Sequence, residues 1–389
     1  MDKNIIKNVK AIIENVKKNK DKAVIILTKK FDKISLSPKN LVVIRAECKR
    51  AFAKIDKETL KILETAHKNI LDYHKLQRKS IKSLVINKKG STIKEKIEPI
   101  ERVGVYIPGG RYPYPSSVFA NVCPAMAAGV KDIVVCTPYK NLNDVVKASM
   151  YIAGVEKVYA VGGAQAIAAM AYGTQTIPKV DIIVGPGNAY VTQAKRMVYG
   201  DVGIDSLAGP SEVVVLADST ANTDYIVEDL GAQAEHDPEA IAYLITDSKS
   251  LIYKVRAKLD EELKGRVKCI NVKNIDEGVK KANEIAPEHL ELVVKASSKI
   301  LSKIYSAGAI FVGKNTPVAL GDYWLGPSHS LPTAGCARFS SGLSVHTFLK
   351  RIAVMEVDHN YLKKKCLDAA KFADLEGMKH HAGSIRVRK

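Results

Sequence analysis

Residues 103–108 read VGVYIP, and four more short β-branched runs follow: KDIVVCTP at 131–138, KVYAVGG at 157–163, VDIIVGPG at 180–187 and SEVVVLAD at 211–218. Each is followed by turn residues or a polar break. Ala-rich stretches of helical character separate several of them, among them SSVFANVCPAMAAG (116–129), AQAIAAMAYG (164–173) and AYVTQAKRMVYG (189–200). Strand, loop and helix repeated in this way argue a parallel sheet with helices on both faces. A second set runs through AIAYLITD (240–247), VKCINV (267–272), HLELVV (289–294) and GAIFVG (308–313). One set finishes before the next begins, so the spacing predicts an α/β protein with two Rossmann-like parallel-sheet domains. One of the sheets is expected to borrow N-terminal elements. Ligands are expected at the carboxyl ends of the strands, where the Gly-rich turns lie.

Outward from that core, residues 1–38 read as helix. Ile5, Val9, Ile12 and Val16 form one stripe, and a second segment runs from Asp21 toward Phe31. LVVIRAEC (41–48) reads as a short strand. A long helix from about Asp56 to Gln77 turns Leu60, Leu63, Ile70 and Leu71 inward. The stretch that follows alternates like two strands joined at Lys89-Gly90. From about Arg338 the tail is Lys-rich and reads as helical.

The chain has 389 residues, 46% hydrophobic and 26% charged, enough for a sizeable core and two or three domains. It contains no run long and apolar enough for a membrane span, and its N-terminus lacks the pattern of a secretory signal. The six cysteines are scattered without a C-x-x-C, as expected of reduced thiols in a cytoplasmic protein. The net charge of +19 raises the question of nucleic acid. The excess is mostly lysine spread along helices and ends, with no RNA-binding aromatic signature and no helix-turn-helix. A solvated basic surface is the expectation, with no nucleic-acid partner.

Four Gly-rich turns follow or join strands: 107–111, 161–165, 184–190 and 207–213. They let the backbone approach a ligand closely, and helices that start there offer free N–H groups to an anion. Gln165 and Asn188 are the polar side chains on them, and Tyr106 sits at the end of the strand before the first. None forms G-x-G-x-x-G with a following acid, so each alone is as readily a tight turn. In GAQAEHDP (231–238), Gln233 and His236 are three apart, on one face if the helix continues, and suit half of a metal site. Alone, the pair reads better as a buried histidine bonded to a glutamine. In IAPEHLELVV (285–294), Glu288 and His289 are adjacent at a strand edge. Extended chain would send them to opposite sides, as base and acid on different faces of a substrate. Asp322 and His329 share the Gly- and Pro-rich loop GDYWLGPSHSLPTAG (321–335), and Glu376 and His381 close the chain in LEGMKHHAGS (375–384).

Taken together, and in this order along nearly the whole chain, these motifs resemble the histidinol dehydrogenase family. The resemblance implies an aldehyde-dehydrogenase-like architecture with a helical C-terminal arm. Residues 1–105 and 212–337 would form the first α/β domain, carrying most of the zinc site. Residues 106–211 would form the second, NAD-binding domain, and 338–389 the arm that completes the partner subunit's site in a homodimer. It implies oxidation of L-histidinol to L-histidine with two NAD, through an aldehyde-level intermediate, with one Zn²⁺ per subunit. Gln233, His236, Asp322 and His381 would be the zinc ligands, and Glu288 and His289 the acid/base pair. Ser211, His329 and Glu376 would join the zinc ligands and His289 around histidinol. Tyr106, Gln165 and Asn188 would touch NAD. The chain begins later than many members of that family, so part of an N-terminal arm is expected to be missing. That bears on dimer packing rather than chemistry.

Overall fold

The structure, a computed structural model, describes residues 3–109, 113–235 and 239–388. Along the chain come α1 (Lys3–Asp32), β1 (Val42–Ile44), α2 (Arg45–Phe52), α3 (Lys57–Ser80), β2 (Val85–Lys88), β3 (Ser91–Pro99), β4 (Arg102–Tyr106), α4 (Pro115–Ala128), β5 (Asp132–Cys136), α5 (Asp144–Ile152), β6 (Lys157–Tyr159), α6 (Gly163–Tyr172), β7 (Ile182–Val184), α7 (Ala189–Val198) and β8 (Gly203–Ile204). Then follow β9 (Glu212–Ala217), α8 (Thr223–Glu235), β10 (Ile241–Thr246), α9 (Lys249–Lys258), α10 (Glu261–Lys264), β11 (Val267–Asn271), α11 (Ile275–Ile285), β12 (His289–Val293), α12 (Ser297–Leu301), β13 (Ala309–Val312), α13 (Val318–Tyr323), β14 (Leu349–Val357), α14 (His359–Leu375) and α15 (Lys379–Arg386). The chain divides into two compact units, Met1–Leu76 with Ile100–Phe348, and Gln77–Pro99 with Leu349–Lys389.

The first unit holds both Rossmann-like sheets. One has six strands in the order β1-β6-β5-β4-β7-β8, and the other five in the order β11-β10-β9-β12-β13. All pairs are parallel except β1 with β6. The five-stranded sheet is apolar on both faces. Val213, Val215 and Ala217 of β9 join Ile226, Leu230, Leu244 and Val255 on one side, and Val214 and Leu216 join Ile245, Val279 and Leu290 on the other. Burial on both faces is what crossover helices impose on a parallel sheet, and it explains strands that read as continuous apolar runs.

Two expectations about the partition need correction. β1 and all of β4 but Tyr106 lie within 1–105, which was expected to accompany 212–337, yet they hydrogen-bond into the sheet of β5 to β8. β4 pairs in register with β5 and β7, and its apolar part is interior: Val103 and Val105 are fully buried. The stretch from Arg338 is also not wholly helical. Its residues up to Phe348 belong to the first unit, and β14 pairs antiparallel with β3 along nine residues from Leu349↔Pro99 to Val357↔Ser91. The alternation of LKRIAVMEV is masked by its lysine and arginine, so a basic helix was the natural reading.

The second unit is therefore a three-stranded antiparallel sheet, β14-β3-β2, with the helical pair α14 and α15. The hairpin at Lys89-Gly90 is as expected, and Gly90 takes a positive φ of 79° there.

α1 is broken at Lys20, whose φ of 49° lies outside the helical region. The two segments match the two stripes read from the sequence. The break is held from outside: Lys20 Nζ donates to the carbonyls of Tyr172 and Gly173 at the end of α6, and Asp21 accepts from the Thr176 hydroxyl at 2.6 Å. A left-handed lysine costs about 1–3 kcal/mol. Here the ammonium satisfies two helix-end carbonyls, and α1 packs on α6 and α7.

Candidate active site

Two clusters of the expected residues form within the first unit. The first is a cavity of about 510 Å³ whose lining includes Tyr106, Gln165 and Asn188. It sits at the carboxyl ends of β4 to β7, where the Gly-rich turns were expected to hold a ligand. Tyr106 is buried, and its hydroxyl oxygen accepts from the Gly163 N–H at 3.0 Å, at the start of α6. Burial pushes its phenol up to about 12, so it stays protonated and can donate to a ligand. Asn188 is the N-cap of α7 and accepts from the N–H groups of Tyr190 and Val191, both at 3.1 Å. Its oxygen is thus committed to the helix and its amide N–H groups are what it can offer to a cofactor.

The turn between β7 and α7 is fixed by a buried ion pair. Lys195 of α7 bonds Asp205 and donates to the Gly185 carbonyl at 3.0 Å, while Asp205 accepts from the Gly185 N–H at 2.8 Å. Gly185 has φ of 108°, and a side chain there would meet the Tyr106 carbonyl at 2.1 Å. Only glycine allows β4 and this turn to close together.

The second cluster gathers around Glu288. Its Oε2 accepts from the Glu212 N–H at 3.1 Å, and the Ser211 hydroxyl bonds the same carboxyl. His289 Nδ1 lies 3.8 Å from Glu288 Oε2, and its Nε2 lies 3.8 Å from Asp322 Oδ1. Glu288 and His289 are both buried. Burial, helped by the nearby charges of Asp322 and Glu212, pushes the Glu288 carboxyl up to about 8. Burial also raises Glu212. Neighbouring residues 288 and 289 were expected on opposite sides. They face each other because β12 begins only at His289, so Glu288 is outside the extended alternation.

This cluster stands at the amino ends of β9 and β12, not the carboxyl ends expected of both sheets. The cause is the connection. β8 leaves the first sheet at Ile204 and the chain enters β9 at Glu212, so a short loop joins the carboxyl end of one sheet to the amino end of the next. That loop is tied down: Thr192 donates to the Ala208 carbonyl at 2.8 Å, and the Gly209 N–H donates to the Thr333 hydroxyl.

A pair of acids not singled out in the sequence organises the support. Asp229 of α8 shares a hydrogen bond with Glu291 of β12, and Glu291 Oε1 accepts from the Val318 N–H at 2.9 Å, at the start of α13. Burial and the charge of Asp229 push Glu291 up to about 8, so the two carboxyls share a proton. α8 carries Gln233 one turn after Asp229, β12 carries His289 two residues before Glu291, and α13 carries Asp322 one turn after Val318. One buried pair thus joins the three elements that bear the candidate groups. The available signal was an acid inside the apolar run HLELVV, which must find a partner when buried.

The metal donors are only partly assembled among the described residues. Gln233 is buried, and its amide nitrogen has no hydrogen-bond partner. A half-turn exchanges that nitrogen with the amide oxygen, which can ligate. α13, bearing Asp322, packs on α8. Within this cluster, among the described residues, no lysine or arginine pairs with Glu212, Glu288 or Asp322. Concentrated carboxyls and an unsatisfied buried amide fit a divalent cation in donor chemistry. No group of three or more His, Cys, Asp or Glu suited to a metal occurs among the described residues. His236 lies outside them. His381 and Glu376 belong to the second unit, exposed, in α15 and at the end of α14. His329 is half-buried in the first unit, with a shielded Nε2 that has no hydrogen-bond partner.

The chain is similar to proteins already known. The histidinol dehydrogenase family model matches residues 1–389. A histidinol dehydrogenase of Synechococcus sp. is 43% identical over 398 residues, covering 98% of this chain and 92% of that protein. The crystal structure of histidinol dehydrogenase from Elizabethkingia anophelis superposes with a TM-score of 0.93 at 34% identity, covering 100% of this chain and 93% of that one. An NAD-dependent aldehyde dehydrogenase from Sinorhizobium meliloti shares the fold at 14% identity, with a TM-score of 0.51 over 90% of this chain and 87% of its own. The aldehyde-dehydrogenase-like architecture expected from the sequence is therefore present, and among the described residues no helix is long and apolar enough to cross a membrane. The chain belongs to the histidinol dehydrogenase family, a family of NAD-dependent oxidoreductases.

Proposed function

We propose that this protein oxidises L-histidinol to L-histidine in two NAD-linked steps at a zinc site, the last steps of L-histidine biosynthesis, in the cytoplasm. The observation that carries the reading is the cluster of buried Glu288 and His289 with half-buried Asp322, and with Ser211 on Glu288, in a chain of this family. Zinc, when bound, supplies a cationic anchor for the imidazole and amine of histidinol, and NAD supplies the hydride acceptor for each oxidation.

The chain's own residues do the rest. Gln233, His236, Asp322 and His381 would hold the metal. His289 takes the alcohol proton, with an acidic group facing each ring nitrogen to stabilise the charged imidazole. Glu288 activates the water that attacks the aldehyde carbon. Ser211 and the Glu212 N–H keep its carboxyl in place, and its raised pKa makes the anion a stronger base once formed. Ser211, His329 and Glu376 would complete the contacts with histidinol. Tyr106, Gln165 and Asn188 would receive NAD in the cavity of the first sheet.

The assembly would be a homodimer in which Glu376 and His381 complete the partner's site. The second unit supports this: Met355, Phe372 and Leu375 are 72%, 66% and 85% exposed on a unit with little core of its own. Large apolar groups left to water mark an interaction surface. The test is stoichiometry. Zinc-loaded protein given L-histidinol should produce two NADH for each L-histidine. One NADH per substrate, ending at the aldehyde, would reject the two-step reading.

A further inference from the structure

The cavity holding Tyr106, Gln165 and Asn188 has another wall that the expected contacts do not use. It is made by Phe31 and Asp32 at the end of α1 and by Lys140 and Asn141 after β5. Asp32 Oδ2 is shielded from solvent and has no hydrogen-bond partner, and the same is true of Asn141 Oδ1. Asn141 is 5% exposed, and its orientation is fixed, because its Nδ2 donates to the Pro108 carbonyl at 3.1 Å and to Thr137 Oγ1 at 2.9 Å. Its oxygen is left as an acceptor only. Asp32 is half-buried, and rotation of its carboxylate exchanges the two oxygens. Two acceptors without donors among the residues lining one cavity call for a ligand that brings hydroxyl protons. Phe31 lines the same wall while 49% exposed, an apolar surface suited to a flat base.

We propose that Asp32 and Asn141 receive the two hydroxyls of the adenosine ribose, and that Asp32 thereby selects NAD over NADP. This rests on the reading of the cavity as the NAD site. A vicinal diol offers the two donors that the wall lacks. A 2′-phosphate removes one donor and adds negative charge beside a carboxylate. The acid comes from an N-terminal helix rather than from the end of the second strand, where a Rossmann fold commonly supplies it. The break at Lys20 is anchored on the end of α6, and α1, which carries Asp32, packs on α6 and α7 of this domain. Burial raises the Asp32 carboxyl above its ordinary range and the nearby charge of Lys140 offsets part of that; Lys140 would remain as a cation for a phosphate once the carboxylate is gone.

The test is equilibrium binding of NAD and of NADP by titration calorimetry, on wild type, Asp32→Asn, Asp32→Ala and Gln165→Ala, each checked for an unchanged circular-dichroism spectrum. Wild type should favour NAD. Loss of a charge-assisted hydrogen bond should weaken NAD binding by roughly ten- to a hundredfold in Asp32→Ala, and the NAD preference should shrink or reverse in both Asp32 variants. Asp32→Asn preserves the side chain's shape and is read alone if the alanine variant misfolds. Weaker NAD binding in Gln165→Ala, with the NAD-to-NADP ratio unchanged in the Asp32 variants, would overturn the role of Asp32. NAD binding unchanged in Gln165→Ala and the Asp32 variants alike would instead place NAD outside this cavity, and the proposal would fall with that reading.

Discussion

Glu288→Gln removes one charge and leaves an oxygen to accept from Ser211 and the Glu212 N–H. Its effect on stability can be worked from the surroundings of the carboxyl. In the fold, that carboxyl titrates near 8 instead of the ordinary 4.5, chiefly because it is buried. The folded protein therefore keeps a proton that the unfolded chain has already lost. Stability tied to that proton is fully present below pH 4.5 and is lost as the pH rises toward 8. At about 1.4 kcal/mol for each pH unit, the loss across the window is on the order of 5 kcal/mol. The glutamine variant has no such proton. In metal-stripped protein, urea unfolding at several pH values between about 5 and 8 should show the variant gaining several kcal/mol on wild type as the pH rises. Stripping matters because a bound cation would favour the ionised carboxylate. A difference that stays flat across the window would refute the burial argument. In the zinc-loaded enzyme, the same variant should slow oxidation of the aldehyde by roughly 10²–10⁴-fold and spare the alcohol step by comparison. Equal losses with both substrates would refute the division of labour between Glu288 and His289.

Two further outcomes follow from the same geometry. Lys195→Met leaves Asp205 buried without its cation and should cost about 3–5 kcal/mol in chemical unfolding; a loss under about 1 kcal/mol would show that the Gly185 turn does not depend on the pair. Asp322→Ala and His381→Ala, each inactive alone, should regain roughly a quarter of wild-type activity when subunits are exchanged between them, because about half of the dimers are mixed and each has one intact site. No recovery, with exchange verified by mass spectrometry, would mean that each tail serves its own subunit.

Most strands of the two sheets were legible because apolar runs bounded by turn residues leave few alternatives; the two-residue β8 was not, and the run 41–48 read as strand is strand only over Val42–Ile44 before α2 begins at Arg45. β14 was not, since LKRIAVMEV spends its polar positions on lysine and arginine and resembles the basic helices near it. The membership of β1 and β4 was hidden for a different reason: a strand's partner is a tertiary choice, and VVI or RVGVY could extend either sheet. At the site, Glu288, His289, Asp322 and Ser211 were visible through motifs, but their mutual approach depended on where β12 starts, and helix and strand ends are poorly marked in sequence. The Asp229–Glu291 pair and the Asp32–Asn141 wall went unread because each joins residues more than sixty positions apart. Only the fold shows that their oxygens share a partner or lack one.

The most direct measurement follows NADH formation with L-histidinol by ultraviolet absorbance in three preparations of the same protein: zinc-loaded, metal-stripped by chelation, and stripped then resupplied with zinc, with metal content fixed by elemental analysis. The account predicts turnover in the first, none in the second and recovery in the third. Full turnover by protein verified to be free of metal would contradict it.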